Sequence, residues 1–478
     1  MELRRSAAQP TREGFAAAIR SKMRVACVLA LIAALGCGYS YTQSGAKQTE
    51  RGSPAEPAAM ERTFDWTDTT RGLHLFVYGV GLAGRVGEHL TEAQVRETAR
   101  RFDVALWLYS DTGVSEVLKD ENPDFLTFLY YDAIFAGLYQ VHEGVYWMPE
   151  EDWEHVSAHP DMFARNCDWS QEPDCRIRNP IWTDEWLMDI SDIDLQDPDS
   201  RDHWVNFFVE TTGERIRSDG YMDGLFIDEL MLPYTIIMPE NMPTFDAWFE
   251  HLLAMAEFTR ARHKDIPIVF NGLQQNFLFY PRMTELLEYA DGALFECFVL
   301  CWFAGPYLGE RIWERTMDLA LWLERRGRAQ FLQAIWDGTP DDLTKNLRLL
   351  ALASYYLIKG RATYFYVNIL GMQDSPVYLP EWDVDLGAPL DGVRWLADVQ
   401  TADGYYRRDY ENGVVLVNPS ADRAFYVELD GEYRRVLPRG ACRIGASGDI
   451  EGDCTLEFET VDSLVLEPAS GEILVRAD

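Results

Sequence analysis

Three short stretches decide the fold: GLFIDE at Gly224–Glu229, IPIVFN at Ile266–Asn271 and GALFECF at Gly292–Phe298. Each is an apolar, β-prone run that meets a polar side chain at or near its C-terminal end. A strand covered on both faces reads as a continuous apolar run, and such strands pair in parallel with helices between them. The same pattern recurs on either side. Upstream stand HLFVYG at His74–Gly79, DVALWLY at Asp103–Tyr109 and FLTFLYY at Phe125–Tyr131; downstream stand AQFLQAIW at Ala329–Trp336 and ATYFYVN at Ala362–Asn368. Eight strand–helix units over roughly 300 residues predict an α/β fold, a (β/α)8 TIM barrel, rather than an open sheet.

The intervening segments carry helix-start signals. Thr91-Glu92-Ala93-Gln94 reads as a capping box, Asp197-Pro198 as the opening of a helix that ends near Gly220, and Thr339-Pro340-Asp341-Asp342 as the opening of one that runs to Gly360. The stretch from Asp132 to Arg201 is too long for a simple connection and predicts an elaborated loop over the catalytic face. Beyond Asn368 the pattern changes to alternating runs. Asn412-Gly413 and Asp430-Gly431 are hairpin signals, so roughly the last 80–100 residues predict an antiparallel β domain.

The 478 residues are 47% hydrophobic and 25% charged, enough for a large core. Lys and Arg number 43 against 78 Asp and Glu, a formal net charge of -35. That surface repels phosphate backbones, so no nucleic-acid partner is expected. Aromatic residues make up 13%. They suit core packing and also the stacking of a sugar ring.

The N-terminus reads as an export address. VACVLALIAAL at Val25–Leu35 follows Lys22 and Arg24 and is too short to span a bilayer. Gly36-Cys37 then resembles a lipoprotein signal, with Cys37 lipidated; Met23 is an alternative start. This predicts an exported protein, periplasmic or at the cell surface, anchored to a bacterial membrane through lipid. Six further cysteines remain, and the expected pairing is local: Cys167–Cys175, Cys297–Cys301 and Cys442–Cys454, with 297–301 the pair that two reduced thiols would equally explain. The expected division is a signal over 1–37, a tether over 38–69, the barrel over 70–375 and the β domain over 376–478.

Gly79-Val80-Gly81-Leu82-Ala83-Gly84 matches GxGxxG after the first strand. A dinucleotide fold needs the helix to start inside that turn, and here the start signal sits seven residues later, at Thr91. A nucleotide-dependent oxidoreductase is therefore a minor alternative, and no cofactor is expected. No HExxH or Ser-centred elbow occurs, so no metal site is predicted either.

A barrel of this kind gathers its chemistry at the C-terminal ends of its strands. Those ends supply Tyr78, Tyr109 and Asp111, Tyr131 and Asp132, Asp228 and Glu229, Asn271, Glu296, Asp337, and Tyr366 with Asn368. Carboxyls and aromatics dominate. Two carboxyls across a sugar-sized gap are what glycosidic cleavage requires. Asp228 and Glu296, on strands four and six, are the candidate pair. Phe295 and Phe298 favour Glu296 as proton donor, leaving Asp228 as nucleophile or base. Glu229 is adjacent, and strand alternation sends it to the opposite face. Asn271, Asp337 and Tyr366, with Asp132 and Glu229, are candidate sugar contacts, and Tyr131 and Trp182 are candidate stacking surfaces. A glycan-binding barrel without catalysis is the leading alternative.

The segment NPIWTDEWLMDISDIDLQDPDSRDHWVNFF at 179–208, with DGLFIDEL, IVFNG, ADGALFECF, DLGAPL and YYRRDYENGVVLVNPS, resembles glycoside hydrolase-like TIM-barrel families. These are allied to the α-galactosidase superfamily and the endo-α-1,4-polygalactosaminidases, and include the hypothetical glycosyl hydrolase family 15. The resemblance spans roughly residues 70–430. It implies a carbohydrate-active barrel with a β-sandwich-like C-terminal domain, acting on an oligo- or polysaccharide. It also implies a nucleophile at the end of strand four and an acid/base at strand six, matching Asp228 and Glu296 by position. Strand six of the α-galactosidases more often offers Asp, where this chain has Glu296.

Overall fold

The computed structural model describes residues 64, 66–78, 80–138, 140–142, 145–233, 237–274, 280–301, 307–338, 343–372 and 375–477. The export signal, Cys37 and most of the tether lie outside these residues, as does the helix opening expected at Thr339–Asp342.

Eight parallel strands form one sheet in sequence order: β1 (Phe76–Val77), β2 (Val104–Leu108), β3 (Leu126–Asp132), β4 (Gly224–Asp228), β5 (Ile268–Asn271), β6 (Gly292–Phe295), β7 (Ala329–Trp336) and β8 (Thr363–Ile369). Leu75 bridges Phe365 in parallel and the Phe365 amide donates to the His74 carbonyl at 3.0 Å, joining the last strand to the first. The sheet is thus a TIM barrel. Its strands are buried almost throughout, as expected where helices cover one face and side chains fill the other. Trp66 fills the N-terminal half. It stacks on Phe128 at 5.9 Å and meets Phe331 edge-on at 5.8 Å, while Phe331 stacks on Tyr364 at 5.0 Å. That end is a packed core.

Among the described residues six helices flank the sheet: α1 (Glu92–Arg101), α2 (Val114–Glu121), α3 (Trp204–Asp219), α4 (Phe245–Arg262), α5 (Glu310–Arg325) and α6 (Lys345–Ile358). The capping box at Thr91 and Gln94 is present. Asp197-Pro198 does not open α3. Asp194 Oδ1 instead accepts from the amides of Gln196 and Asp197, and the Asn206 side chain binds the carbonyls of Asp194 and Pro198, tying 194–198 into a turn. The helix starts at Trp204, whose amide donates to Asp192, and ends at left-handed Gly220 as expected. At α6 the cap is Thr344, whose side chain accepts from the Leu347 amide.

Residues 133–203 form the elaborated loop after β3. Phe135–Gly137 pairs with Glu185–Leu187 in it, and the Cys167–Cys175 disulfide closes a bend whose arms are joined by an Arg165–Arg176 bridge. The other two expected pairs, Cys297–Cys301 and Cys442–Cys454, are also bonded. No described helix is long and apolar enough to cross a membrane.

The C-terminal region carries a five-stranded antiparallel sheet of β9 (Tyr406–Tyr410), β10 (Gly413–Asn418), β11 (Phe425–Arg439), β12 (Thr455–Leu466) and β13 (Ser470–Arg476), in the order β9-β10-β13-β11-β12. The β9–β10 hairpin turns at Glu411-Asn412, and Gly413 is already strand. A Cβ there would sit 2.2 Å from the Leu474 carbonyl oxygen, so only glycine fits against β13. No hairpin forms at Asp430-Gly431. Both flanks pair with the single strand β12, so the dipeptide lies in a bulge between Glu428 and Tyr433.

This sheet packs on α6 through charged anchors. Arg408 Nη1 donates to the carbonyls of Tyr356, Leu357 and Lys359 at 3.0–3.1 Å, capping the helix C-terminus. A second anchor holds α6 to the 3-10 turn Pro380–Asp383 ahead of the sheet: Arg348, from α6, makes a two-pronged pair with Glu381 at 2.7 and 2.6 Å, both side chains being 1% exposed. Removing one partner of such a pair strands a buried charge. Arg348→Met is therefore expected to cost about 3–5 kcal/mol in urea unfolding. Adding Glu381→Leu to it should recover most of the loss; a single variant as stable as wild type would refute the anchor.

Candidate active site

The C-terminal strand tips bring a set of carboxyls together out of water. Asp228 ends β4 and is 5% exposed. Its Oδ2 accepts from Tyr130 at 2.9 Å and from Tyr78 at 3.5 Å. Its Oδ1 accepts from Asn271 Nδ2 at 2.8 Å and from the Glu229 amide at 2.9 Å. Burial raises the Asp228 pKa, and the hydrogen bonds from Asn271, Tyr130, Glu229 and Tyr78 oppose that rise by favouring the anion.

Glu296 follows β6 and is partly exposed. Its Oε2 accepts from Asn271 Nδ2 at 3.1 Å, so one amide nitrogen touches both carboxyls. The two accepting oxygens therefore lie at most about 6 Å apart. Gln274 holds the next residue: its Nε2 donates to the Cys297 carbonyl at 2.9 Å, and its Oε1 accepts from the Cys297 amide at 3.1 Å. With the Cys297–Cys301 disulfide, this fixes the bend on which Glu296 stands.

Glu229 departs from its expected direction. Its φ is 55°, in the left-handed region, so the strand ends at Asp228 and alternation no longer applies. The side chain returns toward the cluster. Burial first, then the charges of Asp228, Asp132, Glu296 and Glu185, push its pKa well above the usual carboxylate range. Glu229 Oε2 is buried without a hydrogen-bond partner. Asp132 pairs in register with Asp228, and burial with that neighbour's charge likewise raises its pKa far above normal, although the Ile134 and Phe135 amides donate to it.

A fifth carboxyl had no signal in the strand pattern. Glu185 lies in the 133–203 loop, 3% exposed, accepting from Asn179 at 2.9 Å. Burial and the charge of Asp132 raise its pKa well above normal. The loop also extends an aromatic wall. Tyr130 stacks on Trp107 at 4.7 Å, Trp107 on Trp147 at 4.8 Å, and Trp182 lies 6.2 Å beyond Trp147. Tyr130 shares the parity of Phe128, which faces Trp66 inside the barrel, whereas Trp107 lies on β2 where the register shifts between Ala105 and Leu108, so alternation does not place it. Trp147, like Glu185, comes from the loop and had no such signal.

Other expected rim residues are elsewhere. Tyr131 has the opposite parity to Tyr130 and points into the helical shell, where it donates to Asp152 at 2.9 Å and packs on Phe208 of α3. Asp152 in turn pairs with Arg215. Tyr366 is buried among Phe76, Phe102 and Trp382. Asp337 is exposed, and no hydrogen bond among the described residues ties it to the cluster. Asp111 is exposed on the turn after β2. The glycine loop forms a 3-10 turn at Val80–Ala83, and α1 begins only at Glu92, so no helix N-terminus faces that turn as dinucleotide binding requires. Among the described residues no group of three or more His, Cys, Asp or Glu has the geometry to hold a metal ion.

A parallel eight-stranded barrel with acids and aromatics at its strand tips is a scaffold able to carry glycosidic cleavage. The chain belongs to the hypothetical glycosyl hydrolase family 15, whose model matches residues 119–414. No curated protein matches it. Among solved structures it is similar to the glycoside hydrolase domain of PelA from Pseudomonas aeruginosa, at 16% identity over 66% of this chain and 98% of that one, with a TM-score of 0.39. It is also similar to an α-amylase from Geobacillus thermoleovorans, at 12% identity over 86% and 99%, TM-score 0.39. A third is the GH36 α-galactosidase AgaA from Geobacillus stearothermophilus, at 9% identity over 87% and 57%, TM-score 0.39.

The raised carboxyls have a measurable consequence. A folded chain that keeps a proton on Glu229 binds more protons than the unfolded chain once pH exceeds the ordinary carboxyl pKa near 4, so this group subtracts stability as pH rises from there. Glu229→Gln is expected to raise Tm at pH 7.5 and to change it little at pH 3.5. An equal effect at both pH values would show that Glu229 is not held protonated.

Proposed function

We propose that this protein hydrolyses glycosidic bonds of an extracellular glycan by double displacement, with Asp228 as nucleophile and Glu296 as acid/base. The observation that carries this is the single Asn271 amide touching both carboxyls. The nearest oxygens of the pair then lie at most about 6 Å apart, a span compatible with a retaining pair, whose carboxyls stand about 5–5.5 Å apart. It also disfavours the binding-only alternative, which predicts carboxyls too far apart to share a sugar.

The chemistry then runs as follows. Glu296 gives its proton to the glycosidic oxygen as the C1–O bond breaks, while an Asp228 oxygen bonds to C1. Water next attacks C1 and loses a proton to Glu296, and Asp228 leaves as a carboxylate. Four donors around Asp228 support its being the acid that stays charged. Glu229, Asp132 and Glu185 are then neutral acids able to donate hydrogen bonds to sugar hydroxyls. Trp182, at the outer end of the aromatic wall, is the proposed stacking surface. Three disulfides and the signal-like N-terminus support export into an oxidising compartment. Lipid attachment at Cys37 would anchor the chain to the membrane.

A panel of polysaccharides and aryl glycosides provides the test. Glu296→Gln should lose about 10²–10⁴-fold in kcat on its best substrate, and Asp228→Asn should abolish turnover. Proton NMR of the first product should show the anomeric configuration retained. If wild type releases sugar and both variants match it, the pair is misassigned; an inverted product would replace the nucleophile role with that of a base.

A further inference from the structure

We propose that Asn271 is a positioning residue that serves the two carboxyls in turn, stabilising the negative charge first on Asp228 and then on Glu296 without moving. The proposal rests on the double-displacement reading above and adds a component to it. The expectation from sequence was that Asn271 would contact a sugar hydroxyl. In the structure both its side-chain N–H groups are committed elsewhere, one to Asp228 Oδ1 at 2.8 Å and one to Glu296 Oε2 at 3.1 Å.

The orientation of that amide is not free. Asn271 Oδ1 accepts from the Gly272 amide at 2.8 Å, so a flipped carboxamide would set two donors against each other. Gly272 has φ 117°, and a Cβ there would meet Met231 Cβ at 2.6 Å and the Leu230 carbonyl oxygen at 3.0 Å. Glycine is therefore required for the backbone turn that pins the amide. Asn271 is 3% exposed, which keeps water from competing for its hydrogen bonds.

The electrostatic reason follows from charge counting. Before the first step the pair bears one negative charge, on Asp228, with Glu296 protonated. After it, Asp228 is an ester and the charge resides on Glu296. The proton has left with the departing sugar and the total charge of pair plus substrate is conserved. A donor aimed at only one site would stabilise one half of the cycle and oppose the other. A fixed amide with an N–H on each carboxyl stabilises both, with no reorganisation between them.

The test uses the whole protein. With selectively 15N-labelled asparagine, the two Nδ2 protons of Asn271 should shift separately, one on Asp228→Asn and the other on Glu296→Gln. Asn271→Ala should lower kcat about 10–100-fold, with KM changed far less, and should move the acidic limb of the pH profile upward because Asp228 loses a donor that favours its anion. Asn271→Asp keeps the shape and the Gly272 contact but removes both donors, so it should lose activity as well. Tm, measured in parallel, separates these effects from unfolding. Two Asn271 amide protons indifferent to both carboxyl substitutions would overturn the proposal, as would an Asn271→Asp enzyme with wild-type kcat and pH profile. If the amide protons respond as expected but no glycan is cleaved, Asn271 still couples the pair and the hydrolase reading fails instead.

Discussion

Five carboxyls, Asp132, Glu185, Asp228, Glu229 and Glu296, crowd the C-terminal end of one barrel, and this crowding is the constraint that the rest of the site answers. Desolvation opposes ionisation at Asp132, Glu185, Asp228 and Glu229, and repulsion from neighbouring carboxyls adds to it at Asp132, Glu185 and Glu229. Neutral donors dominate the hydrogen bonding around them: two tyrosine hydroxyls, two asparagine amides and backbone N–H groups. Donors concentrate on Asp228, which receives four, whereas Glu229 Oε2 receives none. One rim thus gives its acids unlike surroundings, the condition under which neighbouring carboxyls take different protonation states.

Keeping such a cluster requires rigidity elsewhere. Trp66, Phe128, Phe331 and Tyr364 close the opposite half of the barrel as an aromatic core, so the acids stand on a packed floor. On one side the 133–203 loop contributes Glu185 and extends the wall of Trp107 and Trp147, with its own disulfide holding the distal bend. On the other, Gln274 and the Cys297–Cys301 bond fix the turn beneath Glu296. The C-terminal sheet braces α6 from outside through Arg408, and the 3-10 turn at Pro380–Asp383 does so through the buried Arg348–Glu381 pair.

The barrel was legible because a parallel strand buried on both faces leaves an unbroken apolar run, and all eight such runs became strands. Strand tips likewise pointed to Asp228, Asn271 and Glu296. Errors arose where local rules met tertiary alternatives. Asp197-Pro198 has a good helix-start composition, but Asn206 and Asp194 bind that backbone into a turn. Asp430-Gly431 has hairpin composition, yet β12 is long enough to pair with both flanks and leaves only a bulge. Tyr131 and Tyr130 are indistinguishable as neighbours in a run of tyrosines. Only the barrel interior decides that Tyr130 faces Asp228 while Tyr131 faces α3.

Composition and periodicity alone determined the strand–helix alternation, the acidic surface and the carboxyl-rich rim, because these follow from which residues water rejects and with what spacing. The local cysteine pairing was equally accessible, since short separations along the chain bring thiols together. Tertiary structure alone decided that Glu229 turns back toward Asp228, that Glu185 arrives from a distant loop, and that one asparagine touches both members of the central pair. Those outcomes depend on a left-handed backbone angle, a long insertion and the stagger between neighbouring strands, and each is set by packing across the barrel rather than by any pattern along the chain.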